Sequence, residues 1–231
     1  ALTWEARDTD EEHLISIFGK AEGGKSVCLT TSFTPYFFIK LPRNIDTQKM
    51  QRIYNILDEG CRDSLIAYSV MKSKDVWGFQ NNEEFTFMKL NFKNLQARRL
   101  VDSFLRRPLD RSPDLFEIFG VRNVKVYESN LDPVLRLMHR TGIQSTGWLD
   151  TGDKCIRSHL AQVDIDLFCN DWTTLRPVVR DDIAPFVVAS VDIECNSSTG
   201  KFPDANIPGD ACFQIAISLC KFGSDVPYDK T

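Results

Sequence analysis

Over residues 35–128 the hydrophobic pattern alternates between the two-residue repeat of a strand and the repeat of an amphipathic helix, and the order of those switches limits the fold more than any other feature. Residues 35–41 (PYFFIKL) predict a strand. Residues 47–59 predict a helix, with Asp46 placed to cap it and Ile53, Ile56 and Leu57 on one face. Residues 65–71 and 85–92 predict two strands. Residues 95–106 predict a second helix, capped by Asn94 and carrying an apolar stripe of Leu100, Val101, Phe104 and Leu105. A strand over 124–127 closes the series.

The order β-α-β-β-α-β is that of the ferredoxin-like fold, which includes the RNA-recognition motif. It is expected for residues 35–128. Before it, residues 14–19 and 26–30 predict a hairpin turning over Gly23-Gly24. After it, residues 131–140 predict a helix that Gly142 ends as a left-handed cap. Residues 160–168 alternate as a strand that returns to pair with the first two, and 170–182 read as a linker. The fold class is therefore α+β, a β-rich amino-terminal domain with the ferredoxin-like unit inserted, and a new α/β domain begins near Pro185. Trp77-Gly78-Phe79 and Gly147-Trp148 read as core anchors at turns.

Strand alternation puts Tyr36, Phe38 and Lys40 on one face, and Phe85, Phe87 and Lys89 on one face of the strand expected beside it. Such a face can stack bases, or it can be buried against another domain; burial is the favoured reading. Lys89, Arg98 and Arg99 belong to a basic run that can meet phosphates or simply be the solvated side of a helix. A net charge of −4 argues against coating nucleic acid by bulk electrostatics. The Cys residues (28, 61, 155, 169, 195, 212, 220) are odd in number and include no Cys-x-x-Cys pair, which favours reduced thiols in an intracellular setting. No stretch approaches the roughly 20 apolar residues of a membrane span, so no membrane association is expected.

The most informative chemistry lies at Ser190-Val191-Asp192-Ile193-Glu194-Cys195, the end of an apolar run expected to be a buried strand. Asp192 and Glu194 are two apart and point the same way. Adjacent carboxylates repel and are tolerable where a divalent cation binds both. The surroundings are Ile183-Ala184-Pro185, then Gly200-Lys201-Phe202-Pro203 and Gln214-Ile215. Together these resemble the first exonuclease motif of family B DNA polymerases, the delta-like branch in particular. Residues 127–131 (YESNL), 134–138 (VLRLM), Gly142-Ile143 and Gly147-Trp148 are similar to the stretch that leads toward the exonuclease in that family. The style of the motifs resembles polymerases of large nucleocytoplasmic DNA viruses, especially those of algae. Val191 departs from the family, where an aromatic residue is common.

The resemblance implies that Asp192 and Glu194 are catalytic metal ligands of a 3′–5′ proofreading exonuclease using two Mg2+ ions. It implies a parent enzyme that is a replicative DNA-directed DNA polymerase, with primer–template DNA, deoxynucleotides and a sliding clamp as partners. Its setting would be a host nucleus or a cytoplasmic virus factory. The remaining acids of both active sites have no convincing candidate after Cys195, so the chain reads as an amino-terminal portion, residues 1–184 followed by the start of an RNase H-like exonuclease domain over 185–231, and by itself inactive. Two rivals are a stand-alone single-stranded nucleic-acid-binding module and an RNase H-like nuclease with an accessory domain.

Overall fold

The computed structural model describes residues 1–76 and 78–222, so the expectation for Trp77 lies outside them. Contacts divide the chain into two units. One holds Ala1–Gly19 and Val27–Arg180, and the other holds Lys20–Ser26 and the residues from Asp181 on.

The first unit opens with β1 (Thr3–Asp8) and β2 (His13–Lys20), antiparallel from Thr3 opposite Phe18 to Asp8 opposite His13. Then come β3 (Ser26–Ser32), β4 (Tyr36–Lys40), α1 (Thr47–Gly60), β5 (Leu65–Lys74), β6 (Glu84–Phe92), α2 (Leu95–Leu105), α3 (Pro113–Phe119) and β7 (Val126–Tyr127). β4 to β7 form a four-stranded antiparallel sheet ordered β5-β6-β4-β7. Both caps are formed: Asp46 accepts from Lys49 N at 2.7 Å, and Asn94 accepts from Ala97 N at 2.8 Å. The faces of β4 and β6 carrying Phe37, Ile39, Met88, Leu90 and Phe92 are buried with Ile53 and Leu57 of α1 and Val101 and Leu105 of α2. Each such side chain contributes about 1.5–3 kcal/mol.

Helix α3 is absent from the sequence-based expectation. Pro113 occupies its first turn and Gly120, at φ 63°, ends it in the left-handed region. Its Leu115, Ile118 and Phe119 complete the core above α1 and α2. Phe79, expected to anchor a turn, is 92% exposed.

The unit continues with α4 (Pro133–Thr141), β8 (Trp148–Asp150), β9 (Cys155–Arg157), β10 (Ile165–Cys169) and β11 (Arg176–Val178). Asp132 caps α4 through Val134 N and Leu135 N, and Gly142 at φ 76° ends it. β10 joins β3 in parallel, Ile165 opposite Val27 and Cys169 opposite Thr31, within a sheet ordered β1-β2-β3-β10-β9. The returning strand is thus shorter than the expected 160–168. Asp166 accounts for the difference: its Oδ2 accepts from Leu160 N and Ala161 N, folding that segment into a loop. Among the described residues the second unit contains a hairpin of β12 (Val187–Asn196) and β13 (Ala211–Lys221).

Two polar knots tie the first unit together. Asp8 accepts from the His13 ring at 2.6 Å and from Leu95 N and Gln96 N, both at 3.0 Å, so the end of β1 caps α2 alongside Asn94. Asn94 in turn donates to the carbonyls of Thr9 and Asp10. Burial pushes the Asp8 carboxyl up, but its bonds to His13, Leu95 and Gln96 outweigh this and hold its pKa below the ordinary value. At the second knot Asp75, its side chain 1% exposed, accepts from Lys40 at 2.8 Å and from the Tyr127 hydroxyl at 3.2 and 3.1 Å. Burial first, then the hydrogen bond to and charge of Asp75, raise the Tyr127 phenol to about 12.

These knots give two expectations. The depressed Asp8 carboxyl stabilises the fold above the ordinary carboxyl range and ceases to do so as pH falls through its lowered pKa. Asp8→Asn should therefore lower Tm at neutral pH, with the gap to wild type closing in acid; Asn94→Ala should cost about 1 kcal/mol. An Asp8→Asn gap that is independent of pH would contradict the linkage. Ultraviolet titration should find one phenol ionising near 12, well above the ordinary value of about 10. Asp75→Asn should bring that phenol down, and Asp75→Ala should cost about 3 kcal/mol by leaving Lys40 half-buried without its carboxylate.

Candidate functional site

Residues 187–196 form β12 because a run of valines and alternating apolar residues favours an extended chain. Its period of two places Asp192 and Glu194 on one face, opposite Ala216 and Gln214 of β13. Neither cross-strand neighbour carries charge, and among the described residues no ion pair neutralises either carboxylate. The Asp192 carboxylate is oriented locally by Ile193 N, 3.0 Å from Oδ1. Immediately after Glu194 the register slips, so that Phe213 is the extra residue of a bulge and Cys195 faces Cys212. Such a bulge re-aims side chains at the end of a ladder. Burial first, then the hydrogen bond and charge of Cys212, raise the Cys195 thiol.

The sequence predicts a buried strand here. Instead Val191 is 61% and Ile193 55% exposed, and the facing Ile215 and Ile217 are each 63% exposed. The reason is geometric: a two-stranded ribbon has two faces, and among the described residues its own unit contains no helix to cover either.

A loop from Asn196 to Asp210 closes over the end of the hairpin. Asp210 organises it, accepting from Ser198 N at 2.6 Å, Ser198 Oγ at 2.7 Å and Asp204 N at 3.0 Å, and these bonds lower its pKa. Gly209 passes so close that a Cβ there would lie 2.7 Å from Ser198. Under the loop is a cavity of about 590 Å³ whose walls include Glu194, Cys195, Phe202, Asp204, Asp210 and Cys212. No local sequence signal points to Asp204 and Asp210, since their proximity depends on the loop's path.

The donor set suits a hard cation: two carboxylates on one face, oxygen ligands only, and no competing counter-charge. Among the described residues no three His, Cys, Asp or Glu side chains are grouped to hold a metal.

The other candidate residues lie on the sheet of β4 to β7, except Arg98 and Arg99, which lie on α2. Tyr36 and Phe38 meet edge to face with centroids 5.6 Å apart. Lys89 lies 3.9 Å over Tyr36, Arg136 covers the same ring at 3.9 Å, and Lys40 lies 3.3 Å over Phe85. Two residues are withdrawn from solvent, where contact with bases or phosphates would need them exposed. Phe87 is 5% exposed, its ring covered edge-on by Tyr127 at 5.3 Å. Arg98 is 7% exposed and donates to the Leu131 carbonyl at 2.6 Å, while Arg99 beside it faces solvent. Burial first, then the charges of Arg140 and Arg136, lower the pKa of the Lys89 ammonium. No helix among the described residues is long and apolar enough to cross a membrane.

Residues 124–230 match the family model described as DNA polymerase family B, exonuclease domain. The chain is 29% identical, over 97% of its length, to a DNA polymerase of Acanthamoeba polyphaga mimivirus, covering 14% of that protein. It is 27% identical over 97% of its length to a DNA polymerase of Paramecium bursaria Chlorella virus NY2A, covering 24%. Against the DNA polymerase delta catalytic subunit of Schizosaccharomyces pombe it is 26% identical over 93% of its length, covering 20%. The chain thus spans a quarter or less of the length of each of these relatives. In fold it is similar to the family B DNA polymerase from Pyrobaculum calidifontis, with a TM-score of 0.67 over 94% of this chain and 25% of that one, at 18% identity. A match to the exonuclease model over residues 124–230 and relatives aligned along nearly the whole chain agree: the chain is similar to family B DNA polymerases, and it shares their fold.

Proposed function

We propose that this chain is an amino-terminal portion of a replicative DNA-directed DNA polymerase with 3′–5′ proofreading, acting on primer–template DNA and deoxynucleotides in viral DNA replication. The observation that carries the reading is the placement of Asp192 and Glu194 on one face of β12, unneutralised, inside the stretch matched by the exonuclease model. Their roles are to hold Mg2+ at the 3′ end of a mismatched primer. Bound there, the metal supplies charge stabilisation and an activated water for phosphodiester hydrolysis. The protein's contribution is positional: the ladder fixes the two carboxylates two residues apart, and the bulge after Glu194 shifts the register of the ladder beside the cavity.

The domain reading places an amino-terminal domain over residues 1–184 and the start of an RNase H-like exonuclease domain over 185–231. The separation of the residues from Asp181 on supports that boundary, although the family model itself reaches back to residue 124. The sheet order β5-β6-β4-β7, all antiparallel, with α1 and α2 on one face, supports a ferredoxin-like unit over 35–128. A sliding clamp is a partner the replicative role would require. The aromatic face of that unit serves structure in this reading: Tyr36 already engages Lys89 and Arg136, Phe85 engages Lys40, and Phe38 meets the Tyr36 ring edge to face.

In the complete polymerase, Asp192→Ala combined with Glu194→Ala should reduce excision of a mismatched 3′ end to background and leave matched-primer extension close to wild type. The double change should alter stability by less than about 0.5 kcal/mol, since it removes two exposed carboxylates that repel each other. Retained mismatch excision would overturn the site assignment. For the sheet face, Tyr36→Ala and Phe38→Ala should each cost about 1 kcal/mol of stability. A fluorescence titration should find oligonucleotide affinity unchanged; a selective loss of about 1–3 kcal/mol per residue in binding would instead identify a stacking platform.

A further inference from the structure

We propose that Cys195 and Cys212 form a reversible dithiol–disulfide site that reacts with low-molecular-weight disulfides entering the cavity under the 196–210 loop. The proposal stands on cross-strand geometry and is independent of whether Asp192 and Glu194 hold metal.

Cys195 and Cys212 are directly opposed in the antiparallel ladder, which puts both side chains on one face. Opposed Cβ atoms lie about 4.5–5.5 Å apart, whereas a disulfide needs about 3.5–4.5 Å. Closing that gap requires a small local adjustment, and the pair sits where the backbone is free to make it. The register shift between Glu194 and Cys195 releases the ladder on one side. On the other side Asn196 holds the strands together, accepting from Ala211 N at 2.8 Å and donating to the Gly209 carbonyl at 3.4 Å. The Cys212 thiol donates to the Gln214 carbonyl of its own strand at 3.5 Å, a weak bond that exchange would give up.

Access separates this pair from the second opposed pair in the molecule, Cys155 and Cys169 across β9 and β10. Cys169 is completely buried, and its thiol donates to the Asp171 carbonyl at 3.3 Å. Cys212 is exposed, Cys195 is half-buried, and both line the wall of the cavity. The same wall carries Glu194, Asp204 and Asp210, so a cationic disulfide is favoured over an anionic one.

The chemistry is thiol–disulfide exchange. The sulfur of Cys212 attacks one sulfur of the small disulfide, giving a mixed disulfide and releasing one small thiol that takes up the proton Cys212 lost. Cys195 then displaces the second small thiol, to which its own proton passes. Two protein thiols become one disulfide, one small disulfide becomes two thiols, and two electrons pass from protein to reagent.

The test treats the reduced chain with cystamine, then blocks free thiols and maps peptides by mass spectrometry. The expected result is a peptide joining Cys195 to Cys212, formed while Cys155 and Cys169 are still alkylated, and reversed by dithiothreitol. Cystamine should react several-fold faster than oxidised glutathione at low salt, with the difference shrinking as salt is added. Cys212→Ser should lose the bridge, leaving Cys195 either free or in a mixed disulfide. The proposal is overturned if both cysteines of the wild-type chain end as separate mixed disulfides, if they pair with other cysteines or with a second chain, or if the Cys155–Cys169 bridge forms first.

Discussion

Burial of one face of β4 and β6 beneath α1, α2 and α3 is the interaction on which the first unit depends. Phe37, Ile39, Leu90 and Phe92 have no exposed surface, and the helices that cover them are themselves organised by that contact. Because strand side chains alternate, sealing one face commits Tyr36, Phe38, Phe85 and Lys89 to the other. Those side chains then have to be accommodated without helices. They achieve this with cations: Lys40 on Phe85, and Lys89 and Arg136 on Tyr36. The Asp75 knot balances the nearest of these charges and ties β4 to β7 through Lys40 and Tyr127.

Arg136 links this sheet to α4. Its guanidinium donates to the Tyr36 carbonyl at 2.6 Å and to Glu128, so α4 is fastened to β4 as well as capped by Asp132 and Gly142. The fold is therefore held by a dry core on one side and a set of charge-assisted bonds on the other. A lost member of the second set leaves a charge with its partner removed, which costs more than the bond itself contributed.

The second unit obeys a different constraint. β12 and β13 pair along their length, from Val187 opposite Lys221 to Asn196 opposite Ala211, so the backbone is satisfied by one partner. The apolar side chains are not, and a two-stranded ribbon is marginal in water without a covering layer. The ribbon does fix the spacing of Asp192 and Glu194 and the opposition of Cys195 and Cys212, since both result from register alone.

Much of this was legible in the sequence because it depends on short-range rules. Asp46 and Asn94 as caps, Gly142 as a left-handed terminus, the division of β4 and β6 into two faces, and the common face of Asp192 and Glu194 all come from spacings of two to four residues. Tertiary structure decided the features that depend on residues farther apart than those spacings. Strand β10 stops short because Asp166 captures Leu160 N and Ala161 N, and Phe87 and Arg98 are removed from solvent by Tyr127 and Leu131. Cys195 meets Cys212 only through a bulge, and Asp204 and Asp210 reach the same cavity only through the loop's path. Local periodicity sets which way a side chain points; its partner there is set by long-range contacts that no local pattern names.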